Sequence, residues 1–318
     1  MLLGHDEAWR EWRAASSSPR MHHGWILTGI EGIGKGQFAR AAAAKLVAEP
    51  GIAQPAPNIH PDIIIPEHPP ENKEETKKRD DGQDYRRKRS IPIDSIRAMQ
   101  QRLTTRPTLG RRRVVIIDPA DDLEKAAVNA LLKSLEEPPQ GTFFLLVTHR
   151  FGRLLPTIRS RCRIMRFSPL DDAAMDAVLR ADAPEADAQA RAAAITAAHG
   201  SPGAALRFIG ENLAPLHSMM QRILAEGDAA MMLRGALSDE IGLRPSRERL
   251  AATLEMARAV LAGQLPHSER EQQTRVIEAN AALTKLAAQV PTYNFDPGLI
   301  AMEIGGLLAG AAATRDVA

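Results

Sequence analysis

Gly29-Ile30-Glu31-Gly32-Ile33-Gly34-Lys35 has the spacing of a loop built to hold phosphate, with Gly29 and Gly34 at its two fixed glycine positions, Gly32 between them and a lysine at its end. Glycines let backbone N–H groups turn inward onto phosphate oxygens, and Lys35 would reach the terminal phosphates. The next residue is Gly36, so the hydroxyl that ligates Mg²⁺ in such loops is missing. An apolar run at 114–117 leads to Asp118, the place for a Mg²⁺-associated acid, but Pro119 follows where a water-orienting carboxylate is needed. Positioning and charge stabilisation carry phosphoryl transfer, so these two losses predict very slow hydrolysis or none. Two readings of the loop stay open: a site that binds ATP without hydrolysing it, and a glycine turn kept as scaffold. Asp118 has its own pair of readings, metal-associated acid or helix-capping carboxylate.

A second candidate lies in arginines. No acidic residue occurs over 151–167, which holds Arg153, Arg159, Arg161, Arg163 and Arg166, with Arg150 just before. Such one-sided charge suits phosphate or an acidic partner, and the plain alternative is a solvated basic face. His60, before Pro61-Asp62, has no second ligand cluster near it and reads as a turn residue; His22-His23 reads as surface. Cys162 is the single cysteine, so no internal disulfide and no thiolate zinc site is expected, and no metal is predicted.

The elements that must position these residues follow from periodicity. Residues 24–28 read as a buried strand entering the glycine turn, and 37–47 as an Ala-rich helix. A short extended piece at 91–93 leads to a helix that ends near Leu103, with Asp94 or Ser95 as its cap. Residues 121–137 read as a helix stopped by Pro138-Pro139, and 142–148 as another apolar strand. Continuous apolar strands separated by helices argue for a parallel sheet covered on both faces. Residues 71–90 carry 14 charged side chains and one apolar residue, Tyr85, so a mobile, disordered insertion is expected there. Beyond Pro169 no strand is predicted: 171–209 reads as a small helical bundle, and 211–313 as a larger one with helices near 216–225, 246–262, 268–289 and 297–312. With 318 residues, 44% hydrophobic but only 4% aromatic, the chain should divide into several mostly helical domains. A formal net charge of +2 neither requires nor excludes nucleic acid. The mixed first 13 residues and the lack of any run of about 18 apolar residues predict neither secretion nor membrane spanning, which fits a reducing cytoplasm.

Ser160-Arg161-Cys162, reached through Leu155-Pro156-Thr157-Ile158-Arg159, resembles the Ser-Arg-Cys motif of bacterial clamp-loader subunits, which are AAA+ P-loop proteins. The resemblance extends to residues 129–139, similar to the family's helix between Walker B and sensor 1, and to Thr148 at the sensor 1 place. With the phosphate loop it covers about 24–168; further on, the domain order matches and the last hundred residues match only in class. Asp118-Pro119-Ala120 is similar to the delta prime branch of DNA polymerase III clamp loaders, whereas motor subunits keep a Glu after the Asp and a Ser or Thr after the lysine. Gly203 and Ala204 stand where the family usually supplies a sensor 2 arginine. His60-Pro61-Asp62 is kept where many relatives hold zinc, but their cysteines are gone, so no zinc is expected.

The resemblance implies an α/β AAA+ domain over 1–168, a small helical lid over 169–210 and a helical collar over 211–318. It implies a non-hydrolysing subunit of the polymerase holoenzyme, with Gly29, Gly32, Gly34, Lys35, Asp118 and Thr148 as a degenerate nucleotide site and Ser160, Arg161 and Cys162 as a motif acting in trans. Arg161 would be an arginine finger for a neighbouring ATPase of the gamma/tau type. Delta-type subunits, the sliding clamp and the backbone of primed DNA are the other implied partners, and no membrane is. Rival readings are the motor ATPase of the same loader, an independent P-loop nucleotide kinase, which Gly36 and Pro119 count against, and a P-loop scaffold in another complex.

Overall fold

The computed structural model describes residues 3–290, 293 and 295–312. Residues 291, 292, 294 and 313–318, all within the expected collar, lie outside the described residues. The chain divides after Pro169 into two compact units, Met1–Pro169 and Leu170–Ala318.

In the first unit, among the described residues, five strands form one parallel sheet: β1 (Gly24–Thr28), β2 (Ile63–Ile64), β3 (Arg113–Ile117), β4 (Thr142–Thr148) and β5 (Arg163–Arg166), in the order β2-β3-β4-β1-β5. Successive residues of a strand face opposite sides, so each apolar run feeds two cores. Trp25, Leu27, Val114, Ile116, Leu145 and Val147 pack under α1 (Asp6–Ser16) and α2 (Lys35–Val47). Ile26, Val115, Ile117, Phe144 and Leu146 pack with α4 (Ile93–Leu103) and α5 (Lys125–Glu136), which follow α3 (Lys73–Asp80). Each fully buried Leu, Ile or Phe stabilises by about 1.5–3 kcal/mol over exposure, which makes the sheet the rigid platform. Few aromatics suffice on the first face because they cluster: Trp12 meets Trp25 edge-on at 5.5 Å and Phe38 lies 5.0 Å from Phe167.

Several elements differ from the sequence reading. The helix expected over 121–137 starts only at Lys125, after a 3-10 turn Ala120–Asp122, because Asp121 turns its carboxylate away to the end of β4. α4 starts at Ile93 rather than after Asp94 or Ser95, since Ile91 is stitched beside Leu123 and the extended piece ends at Pro92. α1, β2 and β5 were not predicted; β2 has two residues, and β5 carries arginine at both ends on a sheet edge.

Residues 71–90 do not follow the expectation of an unstructured insertion. Asn72 caps α3 by accepting from Glu75 N, and Pro70 and Arg87 bridge the base of the excursion. Glu75 is buried; Lys78 Nζ donates to it at 2.8 Å and Arg86 N at 2.6 Å, and these bonds hold its carboxyl below the usual range. Local ionic and capping bonds thus order a stretch that has almost no apolar surface.

The short α6 (Pro156–Arg159) closes the first unit before β5. The second unit is helical: α7 (Asp172–Asp182), α8 (Ala188–Ala198), α9 (Pro202–Gly210), α10 (Ala214–Glu226), α11 (Met232–Ile241), α12 (Arg247–Gln264), α13 (Arg270–Gln289) and α14 (Pro297–Gly310). One hydrophobic cluster runs through it from Leu170 to Ala311. α11 was not anticipated, although Asp228 is its signal: the carboxylate accepts from Leu233 N and Arg234 N. Among the described residues, no helix is long and apolar enough to cross a membrane.

Candidate functional site

β3, β4 and β1 are adjacent and parallel, so residues following their C-terminal ends share one rim of the sheet. That rim brings Gly29, Asp118 and Thr148 together with the loop. A Cβ at Gly29 would stand 2.6 Å from Phe167 O, and Gly34, the N-cap of α2, has φ 101°, a left-handed conformation that glycine adopts without strain. His5 is buried beneath the loop, where its Nε2–H donates to Ile33 O at 2.7 Å. Burial holds the His5 ring below its usual pKa. The sequence offers no signal for this contact.

Lys35 is 2% exposed, and its Nζ donates to Gly29 O at 2.8 Å and Ile30 O at 2.5 Å. The ammonium is therefore tied to the loop's own carbonyls. Burial pushes its pKa down to about 8, against the raising effect of Asp118, Glu31 and Asp121.

Position 36 is more than a missing hydroxyl. A Cβ there would lie 2.3 Å from Asp118 Oδ2 and 2.9 Å from Arg40 Nη1. Arg40 and Asp118 form an ion pair at 2.9 Å across this space. A guanidinium thus faces the carboxylate at the place where the loop's pattern puts a divalent cation. Arg40 was missed, though it stands four residues after Gly36 on one face of α2.

Thr148 is fully buried and donates its hydroxyl to Asp121 Oδ1 at 2.9 Å; the other oxygen of Asp121 accepts from His149 N at 2.7 Å. The expected sensor threonine is engaged inside the chain. Beside it His149 is half-buried, with its Nδ1 buried and lacking a hydrogen-bond partner. Burial, and then the Lys35 charge, keep that ring below its usual pKa.

Ser160, Arg161 and Cys162 lie elsewhere. They enter β5, whose first residues pair beside the start of β1, so they sit at the opposite end of the strands from the glycine loop. A Cβ at Gly24 would meet Cys162 Sγ at 2.9 Å and Arg161 O at 3.1 Å, so the glycine permits this close seat. Cys162 points inward, where burial pushes its thiol up to about 12, a packing residue and not a nucleophile. Arg161 points outward: Nη1 donates to Thr157 O at 2.9 Å and Ser160 Oγ at 3.2 Å, and Nη2 pairs with Glu136 at 2.7 Å. Other arginines of the run have separate surroundings; Arg159 lies 5.3 Å over Phe151 and Arg163 lies 5.4 Å over Trp25.

His60 is the turn residue expected, its carbonyl accepting from Ile63 N at 3.1 Å. It is buried, its Nδ1 accepts from Asp62 N at 3.0 Å, and its other nitrogen bonds Gln54 Oε1 at 2.8 Å. Both ring nitrogens are engaged in holding the chain before β2. Among the described residues, no group of three or more His, Cys, Asp or Glu is arranged to hold a metal ion. His22 is exposed as expected, while His23 is half-buried and its ring bonds Leu135 O at 2.9 Å.

Residues 4–171 match the protein family described as DNA polymerase III, delta subunit. The chain is 33% identical over 214 residues to a DNA polymerase III subunit delta' of Pseudomonas aeruginosa, covering 64% of this chain and 60% of that protein. It is 36% identical over 173 residues to the subunit delta' of Escherichia coli K12, covering 53% and 51%. A DNA polymerase III subunit gamma of Buchnera aphidicola is 30% identical over 160 residues, covering 48% and 40%. The chain thus spans between about half and 60% of the two delta' relatives.

Proposed function

The chain belongs to the DNA polymerase III delta subunit family, and on that footing we propose that it is a delta prime type subunit of a bacterial clamp loader, helping to place the sliding clamp on primed DNA. Its own phosphate loop does not turn ATP over, and Arg161 serves as an arginine finger for a neighbouring gamma/tau-type ATPase. The observation that carries this reading is the separation of the two sites: the loop leaves the C-terminal end of β1, while Arg161 is seated at the N-terminal end. Four residue steps of strand amount to roughly 13 Å, so a guanidinium held by Thr157 and Glu136 serves a phosphate outside its own chain.

A finger given in trans is worth about 10³–10⁵ in rate, or roughly 4–7 kcal/mol of barrier. That is enough to give a P-loop domain without turnover a catalytic role in its complex. In this reading 169–210 forms the lid and 211–318 the collar that joins delta-type and ATPase subunits, in the cytoplasm. Lys and Arg side chains contact the DNA backbone without reading sequence. The test is to purify the tagged chain with its cellular partners and to assay it alone. Recovery of a gamma-type ATPase and the clamp, with no ATP turnover by the isolated chain, supports the reading. Steady turnover by the isolated chain would make it a motor subunit instead.

A further inference from the structure

Glu136 is the last residue of α5, where a carboxylate faces the negative end of the helix dipole and is disfavoured. Lys133, in the same last turn, obeys the local rule, and Glu136 breaks it. Its position is explained by Arg161, whose Nη2 lies 2.7 Å from Glu136 Oε1. The two residues are 25 apart in sequence. They meet because His23 bonds Leu135 O, fixing the end of α5 beside β1, and because Gly24 lets Cys162 and the Arg161 carbonyl pack against that same spot.

From this seat we infer that Glu136 is a positioning residue for Arg161, an inference that rests on the finger reading above. An arginine side chain loses much rotamer freedom when it is fixed, and a finger must be fixed to embrace a phosphoryl group. Thr157 O and Ser160 Oγ hold one terminal nitrogen, and Glu136 holds the other. The guanidinium keeps its exposed face, since the Arg161 side chain is 34% exposed and that of Glu136 48%. An ion pair this exposed contributes little to fold stability, so its consequence is orientation.

The experiment is a double-mutant cycle in the reconstituted complex, reading clamp- and DNA-stimulated ATP turnover. Glu136→Ala should lower the part of kcat that depends on Arg161, wild type minus Arg161→Ala, roughly three- to tenfold while KM for ATP stays within about twofold, as expected for lost preorganisation. Glu136→Gln, which keeps the shape and one acceptor oxygen, should lose less. In an Arg161→Ala background neither change should have any further effect. Unchanged or raised kcat in Glu136→Ala, beside a strong loss in Arg161→Ala, overturns the inference, as does a further loss in the Arg161→Ala background, which marks a general structural role. Wild-type turnover in Arg161→Ala overturns both assignments, and does so at the arginine. Thermal melting of each variant shows that the chain is folded.

Discussion

The Asp118 carboxylate occupies the space that a side chain at position 36 would need, and Arg40 closes over it at 2.9 Å. Reinstating the hydroxyl is therefore not a local repair. Gly36→Ser must turn the ends of the Arg40 and Asp118 side chains aside, which flexible, partly exposed side chains do at little cost, so urea unfolding should change by less than about 1 kcal/mol. It should gain no ATP turnover, because Pro119 still stands where a water-orienting group belongs. Turnover gained by Gly36→Ser alone would show that the site is nearer to activity than its geometry implies.

Lys35 provides a pH signature. Its pKa is about 8 in the folded chain against an ordinary value of 10.5. Between those values the unfolded chain holds the extra proton, so this group's contribution to stability rises with pH across the window. Below pH 8 the cost of burying its charge is fully present. Comparing wild type with Lys35→Met from pH 7.5 to 10 should therefore show the balance moving toward wild type as pH rises. A difference that stays flat would mean that the ammonium titrates normally.

The excursion over 71–90 is ordered by polar bonds, with Glu75 as the buried residue of α3. None of its residues belongs to a buried hydrophobic cluster. Replacing 71–86 by a short Gly/Ser link should thus leave the unfolding free energy within about 2 kcal/mol of wild type. A larger loss would show that the excursion supports the sheet.

The continuous apolar strands β1, β3 and β4 were legible because burial on both faces leaves no polar alternation to confuse them. The loop was legible because glycine positions and a lysine are fixed by local geometry. The missed parts are made by contacts distant in sequence. His5 reaches Ile33 through the docking of α1, and Glu136 meets Arg161 only when α5 and β5 are both in place. Thr148 ends β4 where the apolar run predicts, but its engagement by Asp121 depends on a 3-10 turn that periodicity reads as helix. Arg40 had a legible signal in its spacing from Gly36, and charge alone gave no reason to pair it with Asp118.

The central claim is that Arg161 acts on a neighbour's nucleotide, and the direct measurement is ATP turnover of the reconstituted loader, stimulated by clamp and DNA, with Arg161→Ala in this chain alone. In that reading other subunits serve the remaining ATP sites, so total turnover should fall by the share of the site that Arg161 serves, and not to zero, with nucleotide affinity changing less. Arg161→Lys should fall nearly as far, because a point charge does not reproduce the planar donor fork. Arg153→Ala and Arg166→Ala, both at exposed positions, should change turnover little. Wild-type turnover and clamp loading in Arg161→Ala, with a neighbouring arginine proving essential, would contradict the assignment.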